Sequence, residues 1–281
     1  MRLLITGAGG MLATDVVAAA SARGHEVVGL GRDRLDVSVR EAVLDAVVRE
    51  RPDAVINCAA YTNVDGAEAD PDAAAAVNAA GAGFVAQAAA AVGAWVLHVS
   101  TDYVFDGEKG TPYLESDPTG PRSVYGSTKL LGERAVALAA PDTHTIVRTS
   151  WLFGVAGHCF PATMLRLASE RDLLTVVDDQ VGCPTFTGHL AQALVGLADG
   201  EPQRGIVHVA AAGEGSWYDF AVEIMREADV NVEVRPCSTA AFPRPARRPA
   251  YSVLRSERAG APVLPDWHDG LRAYMAARVA A

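Results

Sequence analysis

The chain has 281 residues, half of them hydrophobic, and a formal net charge of −10. That length allows one large α/β domain or two smaller ones around a substantial core. The acidic balance argues against nucleic acid as a general partner, because neutralising phosphates requires basic patches.

The first predicted element is a strand, "RLLIT" at 2–6, which the chain enters without a signal-peptide hydrophobic region. A Gly cluster and a helical pattern from about Met11 follow, then a second strand at 25–30 and a helix over about 38–50. "PDAVINCAA" predicts a third strand starting near Asp53. The Ala-rich run over about 71–92 is interrupted by Asn78 and Gln87, so it is read as a packed helix, not a membrane span. A fourth strand at 94–100, a helix carrying Tyr125 and Lys129 to about 140, and a fifth strand at 144–150 complete the regular part. Beyond it lie a helix near 160–170, "LLTVV" at 173–177, helices from about 187 and 216, "GIVHVA" at 205–210, and a Pro- and Arg-rich loop at 242–252. Nearly all-apolar strands alternating with helices predict a doubly wound parallel α/β sheet, Rossmann-like and covered on both faces. The expected division is a dinucleotide-binding domain over 1–155, with a returning segment near 187–200, and a smaller substrate-binding domain over most of 156–281.

The first strand runs into "TGAGGMLA", where Gly7, Gly10 and Ala13 form GxxGxxA. Small residues let backbone approach a pyrophosphate, and the helix N-terminus that follows offers amides and the positive end of its dipole. The second strand ends at Gly31, where an acid holding the ribose of NAD is usual, and Arg32 follows. A guanidinium there suits the 2′-phosphate of NADPH, so NADPH is the expected cofactor, with NADH the alternative. Ser100 and Thr101 bring hydroxyls to the carboxyl edge of the fourth strand. Tyr125 and Lys129 stand four apart, on one helix face. A phenol is a sluggish acid near neutrality, and a neighbouring cation favours its ionised form.

With "STDYVFDG", "YGSTKLLGE", "RTSWLFG", "VVDDQVGCPT" and "RRPAYSVL" in place, the sequence resembles the dTDP-4-dehydrorhamnose reductase family of extended short-chain dehydrogenases/reductases over nearly its whole length. The resemblance implies that Tyr125 is the proton donor, that Lys129 holds the nicotinamide ribose and lowers the Tyr pKa, and that Thr101 hydrogen-bonds the sugar C4 oxygen. It places Gly10, Met11 and Leu12 at the phosphate turn, Asp36 and Val37 at the adenine pocket, and Ala60, Tyr61 and Thr62 beside the cofactor. Val64, Asp102 and Trp151 then face the sugar. The implied activity is reduction of the C4 ketone of a dTDP-4-dehydro-6-deoxy-L-hexose, giving dTDP-L-rhamnose. "GHCFPATM", with His158, Cys159 and Pro161, and Tyr251 in "RRPAYS" depart from the family pattern in the substrate-facing part. They leave open a 4-ketoreductase for another deoxysugar of secondary metabolism. A non-catalytic NADP-binding subunit is the further alternative, disfavoured because Thr101, Tyr125 and Lys129 are all present. An epimerase or dehydratase is disfavoured too, since Thr101 is followed by Asp102 and Tyr103 and not by an acidic pair.

Arg247 and Arg248 are candidates for the substrate diphosphate, whereas Trp217 and Tyr218 are expected to pack. None of the seven histidines pairs at metal-ligand spacing with another His or a Cys, so no metal site is expected. The four scattered cysteines suggest reduced thiols and a cytoplasmic protein without a membrane partner. The family resemblance admits a homodimer or a monomer.

Overall fold

The computed structural model describes residues 1–201 and 203–280. At its centre β1 (Arg2–Thr6), β2 (Glu26–Leu30), β3 (Ala54–Asn57), β4 (Trp95–Thr101) and β5 (His144–Thr149) pair in parallel. A sixth strand, Gly205–His208, joins in parallel beside β5, giving the order 205–208, β5, β4, β3, β1, β2. The sheet is therefore one strand wider than the five-strand series expected from sequence. This edge strand is short and is delivered from the far part of the chain, so local alternation of strands and helices does not announce it.

Successive side chains on a strand point to opposite faces, and both faces here are covered. On one face Leu3, Ile5, Ile56 and Leu97 pack against α1 (Met11–Ala22) and α8 (Thr187–Asp199). On the other, Leu4, Val55, Val96 and Ile146 meet α2 (Arg40–Glu50), α5 (Ala82–Ala91) and α6 (Val124–Ala139). The Ala-rich run is long and apolar enough to cross a membrane by length and composition. Its small side chains instead pack α5 beneath the sheet, between α2 and α6. The run comprises α4 (Pro71–Ala75), a π-helical turn (Ala76–Gly81) and α5, preceded by a short α3 (Val64–Ala69).

A second core is built by α7 (Phe160–Ala168), α9 (Trp217–Glu227) and α10 (Trp267–Ala280). Phe153, Phe186, Phe220, Leu271 and Tyr274 fill it, with Phe153 and Phe220 ring centroids 5.2 Å apart. Leu173–Val177, the run singled out in the sequence, forms a strand whose parallel partner is Glu233–Cys237. Neither that partner nor α10 was expected from sequence: "EVRPC" mixes charge with proline, and α10 carries a glycine in its first turn.

Candidate active site

β1 turns into α1 through Gly7, whose φ of +71° is open to glycine. A Cβ there would lie 2.8 Å from the Ala59 amide nitrogen, so only glycine lets β3 come this close. Gly10 caps α1 in extended conformation, without a side-chain cap and without an acid in the first turn. The first amides and the positive dipole end of α1 therefore face outward beside Met11. Leu12 buries its side chain in the core, so it presents only backbone here. Arg32 is exposed, and Asp36 accepts from the Ser38 amide (3.0 Å) and hydroxyl (2.6 Å), which hold its carboxyl below the usual range. The Val37 side chain belongs to the core. Ala60, Tyr61 and Thr62 follow β3 over the carboxyl edge of the sheet.

Asn78 is a residue whose role sequence reading missed. It lies on the π-helical turn, accepts from the Tyr61 amide at 2.8 Å, and donates to the Tyr61 carbonyl (3.2 Å) and to the Thr128 hydroxyl (3.1 Å). One buried amide thus fixes the segment after β3 to α6. The available signal was its place as a polar interruption of an alanine run.

α6 carries Tyr125 and Lys129 and begins at Ser123, whose hydroxyl accepts from the Gly126 amide at 3.1 Å. Two of its glycines permit close approach: a Cβ on Gly126 would sit 2.2 Å from the Tyr103 carbonyl oxygen, and one on Gly132 would sit 2.1 Å from that of Asn78. Thr101 ends β4 beside the helix, and the Tyr103 ring meets that of Tyr125 edge-on, with centroids 5.5 Å apart. Protein atoms crowd the Tyr125 ring, and desolvation pushes its phenol up to about 12; the Thr101 hydroxyl works in the opposite direction, while Asp102 adds to the rise. The sequence expects Lys129 to lower this phenol. In the structure the phenol is raised, burial being the largest cause, and the Lys129 ammonium turns toward β4. There Nζ donates to the Val99 carbonyl at 2.7 Å and lies 3.5 Å from His98 Nε2. Burial pushes Lys129 down to about 8, against the pull of the Glu133 carboxylate.

Asp102 is 1% exposed. Its Oδ1 accepts from the Thr101 hydroxyl at 3.0 Å, and its Oδ2 has no hydrogen-bond partner among the described residues. Burial pushes this carboxyl up to about 6, with hydroxyls of Ser252 and Thr101 working against the rise.

Tyr103, whose ring meets that of Tyr125, borders a cavity of about 1130 Å³ whose walls also include Asp65, Gln180, Trp217, Arg244 and Arg248. Val64 is half-buried at the start of α3, one residue before Asp65. Arg248 does not present a free fork. Its two terminal nitrogens donate to the two oxygens of Asp65, at 2.5 and 2.9 Å. Arg247 pairs with Glu108 at 2.8 Å. Arg244, on the same loop, has no ion-pair partner among the described residues and is the better-placed cation for an anionic ligand.

Trp151 holds a left-handed backbone conformation, φ +47°, and stacks on Trp217 with centroids 3.6 Å apart and planes 1° from parallel. A Cβ on Gly182 would sit 2.4 Å from the Trp151 ring, so glycine makes room for it. Trp217 packs as expected, and in addition it lines both the large cavity and a smaller one of about 280 Å³ that His158, Cys159 and Trp151 share.

A doubly wound sheet with a Gly turn at β1 and a Thr–Tyr–Lys set at β4 and α6 defines an extended short-chain dehydrogenase/reductase. The family model described as "RmlD substrate binding domain" matches residues 1–279, and the chain belongs to that family. It is 47% identical to the dTDP-4-dehydrorhamnose reductase of Mycolicibacterium smegmatis, over 100% of this chain and 86% of that one. It is 45% identical to a probable dTDP-4,6-dihydroxy-2-methyloxan-3-one 4-ketoreductase of Streptomyces antibioticus, over 97% and 94% of the two chains. The crystal structure of a Bacillus anthracis dTDP-4-dehydrorhamnose reductase in complex with NADP superposes with a TM-score of 0.94 at 36% identity, covering 98% of this chain and 99% of that one.

Proposed function

We propose that the protein reduces the C4 ketone of a dTDP-4-dehydro-6-deoxy-L-hexose, most simply dTDP-4-dehydro-L-rhamnose to dTDP-L-rhamnose, in the cytoplasm. The observation that supports this reading is Thr101 at the end of β4 with Tyr125 and Lys129 on the adjoining α6, in a chain of this family. Residues 1–155 with 187–200 are read as the cofactor half and most of 156–281 as the sugar-nucleotide half. The Gly7 and Gly10 cradle, with acid-free first-turn amides, fits the phosphates of a dinucleotide. Gly7, Gly10, Met11, Leu12, Arg32, Asp36, Val37, Ala60, Tyr61, Thr62, Tyr125 and Lys129 would hold it. NADPH, or NADH, supplies the hydride for the ketone carbon.

As charge develops on the C4 oxygen, Tyr125 donates its proton there and the Thr101 hydroxyl turns from Asp102 Oδ1 to donate a hydrogen bond to it. A phenol kept protonated by burial is an acid in reserve: it holds its proton until a stronger base, the developing alkoxide, is beside it. Asp102 and Trp151 hold the sugar, with Val64 at the rim. The Arg244–Arg248 loop faces the nucleotide part, with Arg248 acting by holding Asp65.

Incubation of purified protein with dTDP-4-dehydro-L-rhamnose, with NADPH and NADH in parallel, tests the reading. The expected result is dTDP-L-rhamnose and nicotinamide oxidation in equal amounts; folded protein that binds dinucleotide but yields no product would sink this substrate. Another dTDP-deoxysugar is the second reading, favoured by His158 and Cys159 at the smaller cavity and by the likeness to the Streptomyces antibioticus ketoreductase.

A further inference from the structure

Lys129 ends a buried polar row whose other members, Thr6, Asn57 and His98, have no part in the reduction just described. Thr6, Asn57 and His98 are register partners across β1, β3 and β4. The Ala59 backbone N–H, which can only donate, points at Asn57 Oδ1 at 3.2 Å, and the Thr6 hydroxyl donates to the same oxygen at 2.6 Å. This fixes the amide with its Nδ2 facing His98 Nδ1 at 3.0 Å. A ring nitrogen that receives an N–H carries the lone pair, so the proton of the neutral ring sits on Nε2. His98 has no exposed surface, and burial holds its imidazole well below the ordinary value, with Lys129 acting in the same direction. The ring is therefore neutral and presents Nε2–H to Lys129 Nζ across 3.5 Å.

An ammonium at Lys129 faces that N–H donor to donor. A neutral amine can accept from it and still donate to the Val99 carbonyl. The remaining groups around Nζ do not cancel this preference. Glu133 on α6 favours the ammonium, yet its carboxylate is already engaged by Arg148 of β5 at 2.7 Å and by the Ser100 hydroxyl at 2.6 Å. Cys58, after β3, is a thiol that burial pushes up to about 12, and it stays protonated.

We propose that His98 is a positioning residue for Lys129: Asn57 locks its ring in the Nε2–H tautomer, and that donor favours the neutral amine of the lysine. The tautomer and its effect on Lys129 stand apart from the reductase reading.

Nitrogen-15 NMR of the native protein labelled at histidine reads the tautomer directly. The expected spectrum shows a neutral His98 ring protonated at Nε2 across the neutral pH range. A ring protonated at Nδ1, or an imidazolium, would overturn the proposal. Asn57→Asp supplies a carboxylate that accepts from Nδ1–H, which frees Nε2 to accept from the ammonium. Hydrogen bonding to the charged form favours it, so the Lys129 side-chain titration, followed by its own resonances, is expected to move up by roughly one pH unit. A switched tautomer with an unmoved lysine would contradict the coupling. Neither readout needs turnover, so an inactive protein on dTDP-sugars would fail the reductase reading alone. If Asn57→Asp does not fold, the native tautomer still decides.

Discussion

Asp102 concentrates the residue-scale chemistry of this site, because a carboxyl with one unpartnered oxygen is enclosed beside the proposed proton donor. Its pKa is raised in the folded chain, from 3.8 to about 6, so the folded state binds its proton more tightly than the unfolded state does. Its contribution to stability is thus complete below its ordinary pKa and is lost as pH rises through about 6. Asp102→Asn removes that dependence. Denaturant titrations of both proteins between acid and neutral pH are expected to shift in favour of the variant, by roughly 1–3 kcal/mol at neutrality. A difference that stays constant with pH would mean that the carboxyl ionises as an exposed one does. At this scale the motif residues Thr101, Tyr125 and Lys129 were legible in the sequence, because their types and spacing are unusual together. The direction in which Lys129 points was not. It is decided by the Val99 carbonyl and His98 on a strand 30 residues away, which no local pattern displays.

Among the elements, α6 and the π-helical turn carry the placement of the site. The extra residue of a π turn rotates Asn78 onto Tyr61 and Thr128, and glycine at 132 lets the two helices come into contact. Asn78→Ala leaves the Tyr61 amide without its partner and is expected to lower stability by about 1–3 kcal/mol, measured by urea unfolding. Gly132→Ala, whose methyl overlaps the Asn78 carbonyl, is expected to cost a similar amount, about 1–3 kcal/mol. Both variants are also expected to lower dinucleotide affinity, because Tyr61 lies on the proposed cofactor segment; unchanged stability in both would remove the clamp from this account. The strands β1 to β5 and their helices were legible because apolar runs alternate regularly with helical spacing. The run at 205–210 was singled out in the sequence but not as part of the main sheet, since sheet membership depends on a long-range pairing with β5. The π turn was hidden because alanine suits an α-helix equally well.

The molecule as a whole joins two cores through loops that close over the large cavity, and the Arg248–Asp65 pair ties one such loop to α3. Both side chains are largely enclosed, so the bidentate geometry is better defended from solvent than a surface pair. Arg248→Ala is expected to raise KM for the sugar nucleotide roughly tenfold with kcat nearly unchanged, the pattern of lost uniform binding. A fall in kcat alone would assign Arg248 to the chemical step instead. The loop itself was legible from its prolines and arginines, but the partner of each arginine was not, because Asp65 is brought to it only by the fold. The proposed reaction turns on Tyr125 handing its proton to a C4 ketone beside a bound nicotinamide. The decisive measurement is single-turnover oxidation of bound NADPH by dTDP-4-dehydro-L-rhamnose, in native protein and in Tyr125→Phe. A loss of about 10²–10⁴-fold is expected in the Phe variant, with dinucleotide binding retained. Equal rates in the two proteins would contradict it.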